Sequence, residues 1–480
     1  MSQVPPGEAA RFVSGAASRE NALVQGSRPA GRPTAESSAK TLNRLGNCPG
    51  AVSFSRSVRV RRRNFRFVKD KRLAVSSHLL PTYARADLAF ERGEGVWLTA
   101  TDGRRYLDFT SGVAVNALGH AHPHMVEAIT AQAQKLWHTS NLYRIPEGER
   151  LAERLCNLSF ADYVFFQNSG TEAMECCIKM ARKYQYASGK PERNRIITFE
   201  GAFHGRTLAA LSATGNKKYL EGFGPNMPGF DQLPFGDIET VKKAVTPETA
   251  AIIAEPVMGE GGVRVVAHEF LRALRKLCDD NGLLLIFDEV QTGIGRTGDL
   301  FAYQHTGVTP DIMGLAKALG GGFPIGACLA TAEAAKGMTP GTHGSTFGGN
   351  QLAMAAANAV LDIVADKAFL DDVKRKGLLF KQRLAEIRDR FPSVVAEVRG
   401  EGLLIGLRMV PPVGEMVDEL RNEEMITVAA GDNVVRLLPP LIINDEEIGE
   451  AVRRIERACA KLAQAHPRQG DPAAKQGAVA

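Results

Sequence analysis

The chain has 480 residues, enough for two or three domains with a large buried core. Its 44% apolar and 23% charged residues are typical of a soluble globular protein, and no apolar stretch approaches the roughly 20 residues of a membrane span. The net charge of +6 comes from the N-terminus, because residues 1–75 hold 15 of the 59 Lys and Arg but only 4 of the 53 Asp and Glu. The remainder has a net charge of −5, which argues against a nucleic-acid-binding surface.

The two ends of the chain are predicted to be disordered. Residues 1–75 are rich in Ser, Arg, Gly and Pro, lack hydrophobic periodicity and include the basic run Arg56–Arg72. Three explanations are open: a transit peptide, an arm for nucleic acid or a membrane surface, and translated upstream sequence without function. We favour the last, with the real start near Val75, because ordered-looking sequence begins abruptly at Leu79. Residues 466–480 are predicted to form a second disordered tail.

The cysteines and histidines do not predict a metal site. Seven scattered cysteines without a CxxC pair indicate neither zinc nor a disulfide framework, and they favour a reducing, cytoplasmic compartment. His120, His122 and His124 lie close together, but no Cys or acidic residue stands at ligand spacing and Pro123 breaks any helix that could align them. We therefore predict a structural turn there and no metal.

Elements are predicted in chain order from turn signals and hydrophobic patterns. Asp102-Gly103 between two extended runs predicts a hairpin over residues 96–109. Short apolar strands then alternate with helices, which predicts a mainly parallel sheet covered on both faces. The predicted strands are Tyr163–Gln167, Arg195–Phe199, Ala250–Ala254, Leu283–Phe287 and Ala327–Thr331. The predicted helices cover residues 125–137, 170–186, 267–280, 350–390 and 445–464, and a smaller α+β region spans Val394–Met409 and Val434–Ile443.

Two polar residues stand out beside apolar strands. Lys317 lies between apolar residues and is followed by Gly320–Gly322; burial lowers the pKa of a lysine, and glycine lets a bulky ligand approach the backbone. Asp288 follows a strand at the end where open α/β sheets bind ligands, and such a carboxylate can pair with a pyridine nitrogen. Taken singly, each has an ordinary structural explanation: a lysine that reaches out of a core helix, and a helix cap.

Three further motifs suit an anionic or aromatic ligand. Ser169–Glu172 follows a strand and opens a helix with capping-box spacing, and helix N-termini of this kind bind phosphate. Phe203 can stack on a pyridine ring, and the planar fork of Arg206 suits a carboxylate. His343–Asn350 is a polar, glycine-rich loop. The structural alternatives are a capped helix without an anion, core packing with a surface ion pair, and an ordinary turn.

Together and in this order, the motifs resemble the class III (ornithine-type) aminotransferases over about His78–Lys461. The strings Asp288–Arg296 (DEVQTGIGR) and Ala316–Gly322 (AKALGGG) are highly specific for that family. The resemblance implies an α/β fold, the fold-type I of pyridoxal 5'-phosphate (PLP) enzymes: a mainly parallel sheet of the seven-stranded type in a large domain, with a smaller α+β domain built from the C-terminal and N-terminal segments. The implied parts are the extension 1–75, the N-terminal segment of the small domain 76–135, the large PLP-binding domain 136–350, the linking helix and C-terminal small domain 351–465, and the tail 466–480.

By matching position, the resemblance also implies roles for individual residues. Lys317 would bind PLP as a Schiff base and act as the base for the 1,3-proton shift. Asp288 would pair with the pyridine nitrogen, Gln291 would contact the 3-hydroxyl oxygen, and Phe203 would stack on the ring. Further implied cofactor contacts are Gly170, Thr171, Glu289, Val290 and Thr346. The last of these would reach in from the other subunit, which implies a homodimer with shared active sites.

Residues 138–146, 202–206 and 343–349 place the chain closest to the acetylornithine branch of that family. This closer resemblance implies a substrate-binding set in which Arg206 binds a carboxylate and Ser345 touches the acylated amine end. Arg436 would be a second carboxylate clamp that serves glutamate, and Glu260 would be its gate. The expected reaction is transamination between N2-acetyl-L-ornithine and 2-oxoglutarate, which gives N-acetyl-L-glutamate 5-semialdehyde and L-glutamate in arginine biosynthesis.

Other functions stay open on the sequence alone. Ornithine, succinylornithine, succinyl-diaminopimelate and 4-aminobutyrate are alternative amino donors. An aminomutase or decarboxylase on the same fold is disfavoured by the two arginines, which suit a dicarboxylate co-substrate. A PLP-binding regulator that uses the basic arm is disfavoured by the absence of a helix-turn-helix signal. Val257-Met258 and Gln351 depart from the usual family residues but touch no assigned catalytic role.

Overall fold

The computed structural model describes residues 78–467, so the disorder predicted for residues 1–75 and 468–480 lies outside the described residues. The strands are β1 (Phe90–Glu94), β2 (Trp97–Ala100), β3 (Arg105–Asp108), β4 (Tyr163–Gln167), β5 (Arg195–Phe199), β6 (Phe230–Leu233), β7 (Thr249–Ala254), β8 (Val257–Met258), β9 (Arg264–Val265), β10 (Leu284–Asp288), β11 (Ile312–Leu315), β12 (Gly326–Ala330), β13 (Val395–Glu401), β14 (Leu404–Met409), β15 (Met425–Ile426), β16 (Val428–Ala430) and β17 (Val434–Leu437).

The helices are α1 (Ser111–Ala114), α2 (Pro123–Ala133), α3 (Pro146–Leu158), α4 (Gly170–Ala187), α5 (Leu208–Ala213), α6 (Lys217–Leu220), α7 (Ile238–Ala244), α8 (His268–Asn281), α9 (Tyr303–Thr306), α10 (Ala332–Ala335), α11 (Gln351–Val364), α12 (Lys367–Arg390), α13 (Val413–Asn422) and α14 (Asp445–Ala465), with a short 3-10 helix at Lys317–Gly320. Within residues 78–467, no helix combines the length and the apolar character that crossing a bilayer requires.

A seven-stranded sheet with the order β4-β12-β11-β10-β7-β5-β6 forms the centre of the molecule. The pairs along β11-β10-β7-β5-β6 are parallel, and only β12 runs antiparallel to both of its neighbours. Every residue of β7, β10, β11 and β12 is buried, because helices and loops cover both faces, and such strands therefore appear in the sequence as continuous apolar runs. The predicted mainly parallel sheet is confirmed.

Differences from the predicted elements are local. The strands β6 and β11 were not predicted, because each has four residues and β6 carries polar residues on a half-buried edge. The single helical segment predicted over residues 350–390 is divided in two. The division lies at Asp366, whose side chain accepts a hydrogen bond from the Phe369 N–H at 3.0 Å and so starts α12 as an N-cap. His466, predicted to belong to a disordered tail, ends α14, and its Nε2 lies 2.6 Å from Glu415 Oε2.

Two smaller sheets come from the ends of the described region. The sheet β1-β2-β3-β15 contains the predicted hairpin, whose turn is fixed by Asp102 accepting hydrogen bonds from the backbone and side chain of Arg104. Its fourth strand belongs to the C-terminal segment, because β3 pairs in parallel with β15. The sheet β13-β14-β17-β16 is antiparallel throughout. N- and C-terminal segments thus build a smaller α+β part, as predicted, while the domain boundaries after residues 135 and 350 remain a proposal.

Candidate active site

A cavity of about 400 Å³ brings together most of the residues that the sequence singles out. It lies beyond the carboxyl ends of β4, β5, β10 and β11, where the loops that follow parallel strands meet at one edge of the sheet. The predicted site residues that line it are Gly170, Thr171, Phe203, Arg206, Glu260, Asp288, Val290, Gln291 and Lys317. Side chains more than 140 positions apart in the chain therefore share one concave site.

Lys317 is the first residue of the 3-10 helix that follows β11, and its backbone is held at φ +42°. A positive φ is uncommon for a residue with a side chain, and it turns this lysine into the cavity. Its amine makes no hydrogen bond to any residue in the described range 78–467. Burial and the nearby charge of Arg436 outweigh the acidic neighbours and lower the pKa of Lys317 to about 8. About a tenth of this amine is therefore neutral at pH 7, compared with fewer than roughly one in a thousand for an ordinary exposed lysine.

Asp288 ends β10 with its carboxylate buried and oriented by two donors. Oδ1 accepts the Val290 N–H at 3.0 Å, and Oδ2 lies 2.8 Å from Nδ1 of His204, whose side chain is fully buried. Burial alone would lower the pKa of His204, but the hydrogen bond and negative charge of Asp288 outweigh it and raise that pKa. His204 was not among the residues predicted from the sequence, and no local signal identifies it, because its partner is 84 positions away.

Glu255 is a second cavity residue to which the sequence analysis gave no role. Its Oε1 accepts the backbone N–H of Phe203 at 2.8 Å and so fixes the aromatic residue of the loop after β5. Burial, together with the negative charge of Asp288, raises the pKa of Glu255 to about 7. The cavity thus contains one carboxylate held by a histidine and one that is partly protonated near neutral pH.

The N-terminus of α4 faces the cavity. Ser169 is its N-cap, and the Ser169 hydroxyl accepts the Glu172 N–H at 3.3 Å, while the Glu172 carboxylate accepts the Asn168 N–H at 2.7 Å. The contact is similar to a capping box, except that the Glu172 carboxylate accepts the N–H of Asn168 and not that of the N-cap Ser169. A side chain at Gly170 would meet Val290 at 2.8 Å, so glycine keeps this end of the cavity open. The first-turn N–H groups and the helix dipole make it suitable for an anion.

Gln291 and Glu289 follow β10, and only the Gln291 side chain lies at the cavity in the described structure. Gln291 is buried with its Oε1 unpartnered by any described residue, and it lies against Gly259, where a Cβ would come within 1.9 Å of that oxygen. A buried polar atom without a partner indicates a group that is completed by a ligand. The Glu289 carboxylate instead accepts the N–H groups of Ala302 and Tyr303 at 2.6 and 2.8 Å, away from the cavity lining. Its burial raises its pKa to about 7.

Two arginines approach the cavity in different states. Arg436 on β17 is buried and pairs through Nη2 with Glu260 Oε1 at 3.0 Å, while its Nε and Nη1 have no partner among the described residues. Glu260 itself lines the cavity, so this ion pair separates Arg436 from it. Arg206 is exposed at the cavity and its guanidinium forms no ion pair within residues 78–467. Arg436 is thus neutralised by Glu260, whereas the Arg206 guanidinium is accessible to a ligand in the cavity.

The loop that follows β12 and α10 stands beside the cavity and does not line it. Ser345 Oγ accepts hydrogen bonds from Asn168 Nδ2 at 3.2 Å and from the Gly348 N–H at 3.0 Å, which ties the loop to a cavity residue. Thr346 and Phe347 are exposed. Of the predicted site residues, Glu289, Ser345, Thr346 and Arg436 are thus outside the cavity lining of this chain.

Two of the three clustered histidines pair with different carboxylates, and the buried Nδ1 of His122 has no partner among the described residues. His120 Nε2 lies 2.8 Å from Asp108 Oδ2, and His124 Nε2 lies 3.0 Å from Asp362 Oδ2. Over the described part of the chain, no group of three or more His, Cys, Asp or Glu side chains is arranged to hold a metal ion.

Comparison with known proteins shows that the chain belongs to the class-III aminotransferase family, whose model matches residues 81–459. Acetylornithine aminotransferase 1 of Bradyrhizobium diazoefficiens is 67% identical over 389 residues, which cover 81% of this chain and 96% of that relative. The crystal structure of N-acetylornithine aminotransferase from Stenotrophomonas maltophilia matches with a TM-score of 0.71 at 38% identity, over 80% of this chain and 98% of that one. Ornithine aminotransferase from Toxoplasma gondii matches with a TM-score of 0.78 at 32% identity, over 81% and 94%.

Proposed function

We propose that this chain is a PLP-dependent aminotransferase that transfers the δ-amino group of N2-acetyl-L-ornithine to 2-oxoglutarate. The products are N-acetyl-L-glutamate 5-semialdehyde and L-glutamate, and the role is in arginine biosynthesis. The observation that carries the proposal is one cavity that holds the buried carboxylate of Asp288, the exposed Arg206 and a Lys317 amine with no hydrogen-bond partner within residues 78–467. Arg436, a second arginine suited to a carboxylate, lies behind its ion pair with the cavity residue Glu260. The acetylornithine aminotransferase named among its relatives supports the choice of substrate.

The residues of the cavity fit PLP. Gln291 offers a buried oxygen that no residue in the described range partners, and Asp288 offers a carboxylate fixed by His204. The start of α4 offers first-turn N–H groups for a phosphate. Lys317, Asp288, Gln291, Gly170, Thr171, Val290 and Phe203 would hold the cofactor. Glu289 would contribute through its backbone, since its side chain is bonded elsewhere. When bound, PLP supplies an electron sink for negative charge at the carbon that carries the amino group.

Lys317 is the proposed catalytic base. Its pKa of about 8 leaves Nζ partly neutral at neutral pH, so that it can accept a proton from the amine-bearing carbon of the substrate and later return one. The acidic groups in the cavity limit how far that pKa falls. The amine is therefore basic enough to accept the proton, and a sufficient fraction of it is neutral to start the reaction.

The two arginines are proposed to serve the two substrates in turn. Arg206, which is open, binds the carboxylate of N-acetylornithine, and Ser345 contacts the acylated end. Glu260 neutralises Arg436 during this half-reaction and releases it when the second carboxylate of 2-oxoglutarate enters. A gate of this kind lets one site accept a monocarboxylate and a dicarboxylate without leaving a buried charge unpaired.

The active enzyme is proposed to be a homodimer in the cytoplasm. Thr346 and Phe347 are exposed in one copy and would be covered by the partner, with Thr346 completing the phosphate site of that partner. The six described cysteines are all free thiols, which supports a reducing compartment.

The test is a half-reaction with purified, PLP-loaded protein. N-acetylornithine, ornithine, succinylornithine, succinyl-diaminopimelate and 4-aminobutyrate are added separately, and the absorbance of the bound cofactor is followed. We expect a fast change in this absorbance with N-acetylornithine, and we expect 2-oxoglutarate to reverse it. The Lys317→Ala variant should have the circular dichroism spectrum of the wild-type enzyme but should not convert the substrate. Faster change with another donor would replace the substrate assignment, and turnover by Lys317→Ala would refute the role of the lysine.

A further inference from the structure

Arg206 lies between two aromatic rings. Its guanidinium carbon is 3.8 Å from the centroid of the Tyr219 ring and 5.4 Å from that of the Phe203 ring. The two rings pack in a T-shaped arrangement, with centroids 6.1 Å apart and an interplanar angle of 87°. A guanidinium this close to a ring centroid is in a cation–π contact, and Tyr219 is the nearer of the two rings.

The contact leaves the hydrogen-bonding groups of Arg206 available. A guanidinium that stacks on a ring uses its flat face, while its N–H groups point outward in the plane. Within residues 78–467, the Arg206 side chain donates no hydrogen bond and meets no carboxylate. Its backbone N–H donates to Thr171 Oγ1 at 3.2 Å, which holds the Arg206 backbone beside the start of α4. The fork is thus oriented by aromatic contact and open to a ligand.

The segment that carries Tyr219 is itself anchored. Gly215 bridges to Glu200 beside the end of β5, and a side chain at Gly215 would meet the Glu200 Cα at 2.5 Å. The following turn, α6, is capped by Asn216, whose side chain accepts the Lys218 N–H at 3.0 Å. The Tyr219 hydroxyl has no partner among the described residues, so the ring is the part of this side chain that makes the contact with Arg206.

We propose that Tyr219 is a positioning residue for substrate binding, which acts by holding the Arg206 guanidinium with its N–H fork toward the substrate carboxylate. The inference rests on the proposed function, in which Arg206 binds that carboxylate. An exposed arginine loses rotamer freedom when it binds a ligand, and an arginine that is already oriented loses less. Tyr219 therefore contributes to affinity for the carboxylate and leaves the chemical step at Lys317 unchanged.

The experiment compares Tyr219→Leu, Tyr219→Phe and the control Phe223→Leu in the N-acetylornithine half-reaction. Phe223 is an exposed aromatic residue in the same segment, so its variant controls for the loss of a ring. In Tyr219→Leu, the substrate concentration for half-maximal rate should rise roughly fivefold, from a cation–π contact of about 1 kcal/mol, with a limiting rate within twofold of wild type. Tyr219→Phe keeps the ring and should restore the affinity, and Phe223→Leu should match wild type.

A double-variant cycle decides whether the effect passes through Arg206. In an Arg206→Gln background, Tyr219→Leu should change the affinity by less than twofold, because the cation is gone. An unchanged affinity in Tyr219→Leu, a fall only in the limiting rate, or an equal effect in both backgrounds would overturn the inference. A wild-type enzyme that does not convert N-acetylornithine would refute the substrate assignment, and the same variants would then be compared for glutarate binding by calorimetry to test Tyr219 by itself.

Discussion

The buried pair of His204 and Asp288 gives the sharpest prediction for stability. Their side chains are 0% and 4% exposed and 2.8 Å apart, so His204→Phe would leave a buried carboxylate with the Val290 N–H as its remaining donor. Loss of a hydrogen bond to a charged group in a buried pair costs about 2–3 kcal/mol. For a folded region of this size, that corresponds to a fall in Tm of roughly 2–4 °C.

The matched control is His124→Phe, which breaks a His–Asp pair of similar length on the surface. His124 and Asp362 are 42% and 40% exposed at 3.0 Å, and exposed pairs contribute about 0–1 kcal/mol. Thermal unfolding of both variants and wild type is measured by circular dichroism at one protein concentration, since association changes Tm. A His204→Phe variant as stable as His124→Phe would refute the argument from burial.

The same pair predicts the sign of a pH dependence. The pKa of His204 is raised in the folded state, so the charge-dependent part of its stabilisation is fully present below about 6.5 and is lost as the pH rises through the folded-state pKa. The Tm difference between wild type and His204→Phe should therefore be larger at pH 6 than at pH 9. It should not vanish at pH 9, because the neutral imidazole can still donate to Asp288. A difference that grows with pH would contradict this assignment.

Three further predictions follow from single sites. Gly402→Ala should lower the free energy of unfolding by about 2 kcal/mol or more, because φ is +53° and a Cβ would meet backbone atoms at 2.5 Å. Gly414→Ala, where a Cβ would meet no atom within 4 Å, should be neutral or stabilise the protein by about 0.5 kcal/mol. Thermal unfolding of the two variants measures the difference. The rate at which cofactor-free enzyme takes up PLP covalently should rise with pH around a midpoint near 8, because Lys317 must be neutral, and stopped-flow absorbance giving a midpoint near 10.5 would contradict this. Glu260→Gln should lower the KM for 2-oxoglutarate roughly fivefold by freeing Arg436, and steady-state kinetics that show a raised KM would exclude the gate.

The sequence by itself determined the family, the mainly parallel sheet and nine of the residues that line the cavity. Strands β4 and β5 were predicted to the residue, because each is a short run rich in aromatic or β-branched residues bounded by turn residues. Lys317 and Asp288 were identified from the residues that directly precede and follow them in the chain. These signals are local, so they can be read along one segment at a time.

Only the tertiary structure identified His204, Glu255 and Tyr219 as parts of the site. Their significance lies in partners that are distant in the chain or contacted through space: Asp288 for His204, the Phe203 N–H for Glu255, and the Arg206 guanidinium for Tyr219. No periodicity or motif encodes such a contact, because it depends on which loops the sheet brings to the same edge. The fold decides which charges lie within hydrogen-bonding distance, and burial at that edge then sets their pKa values.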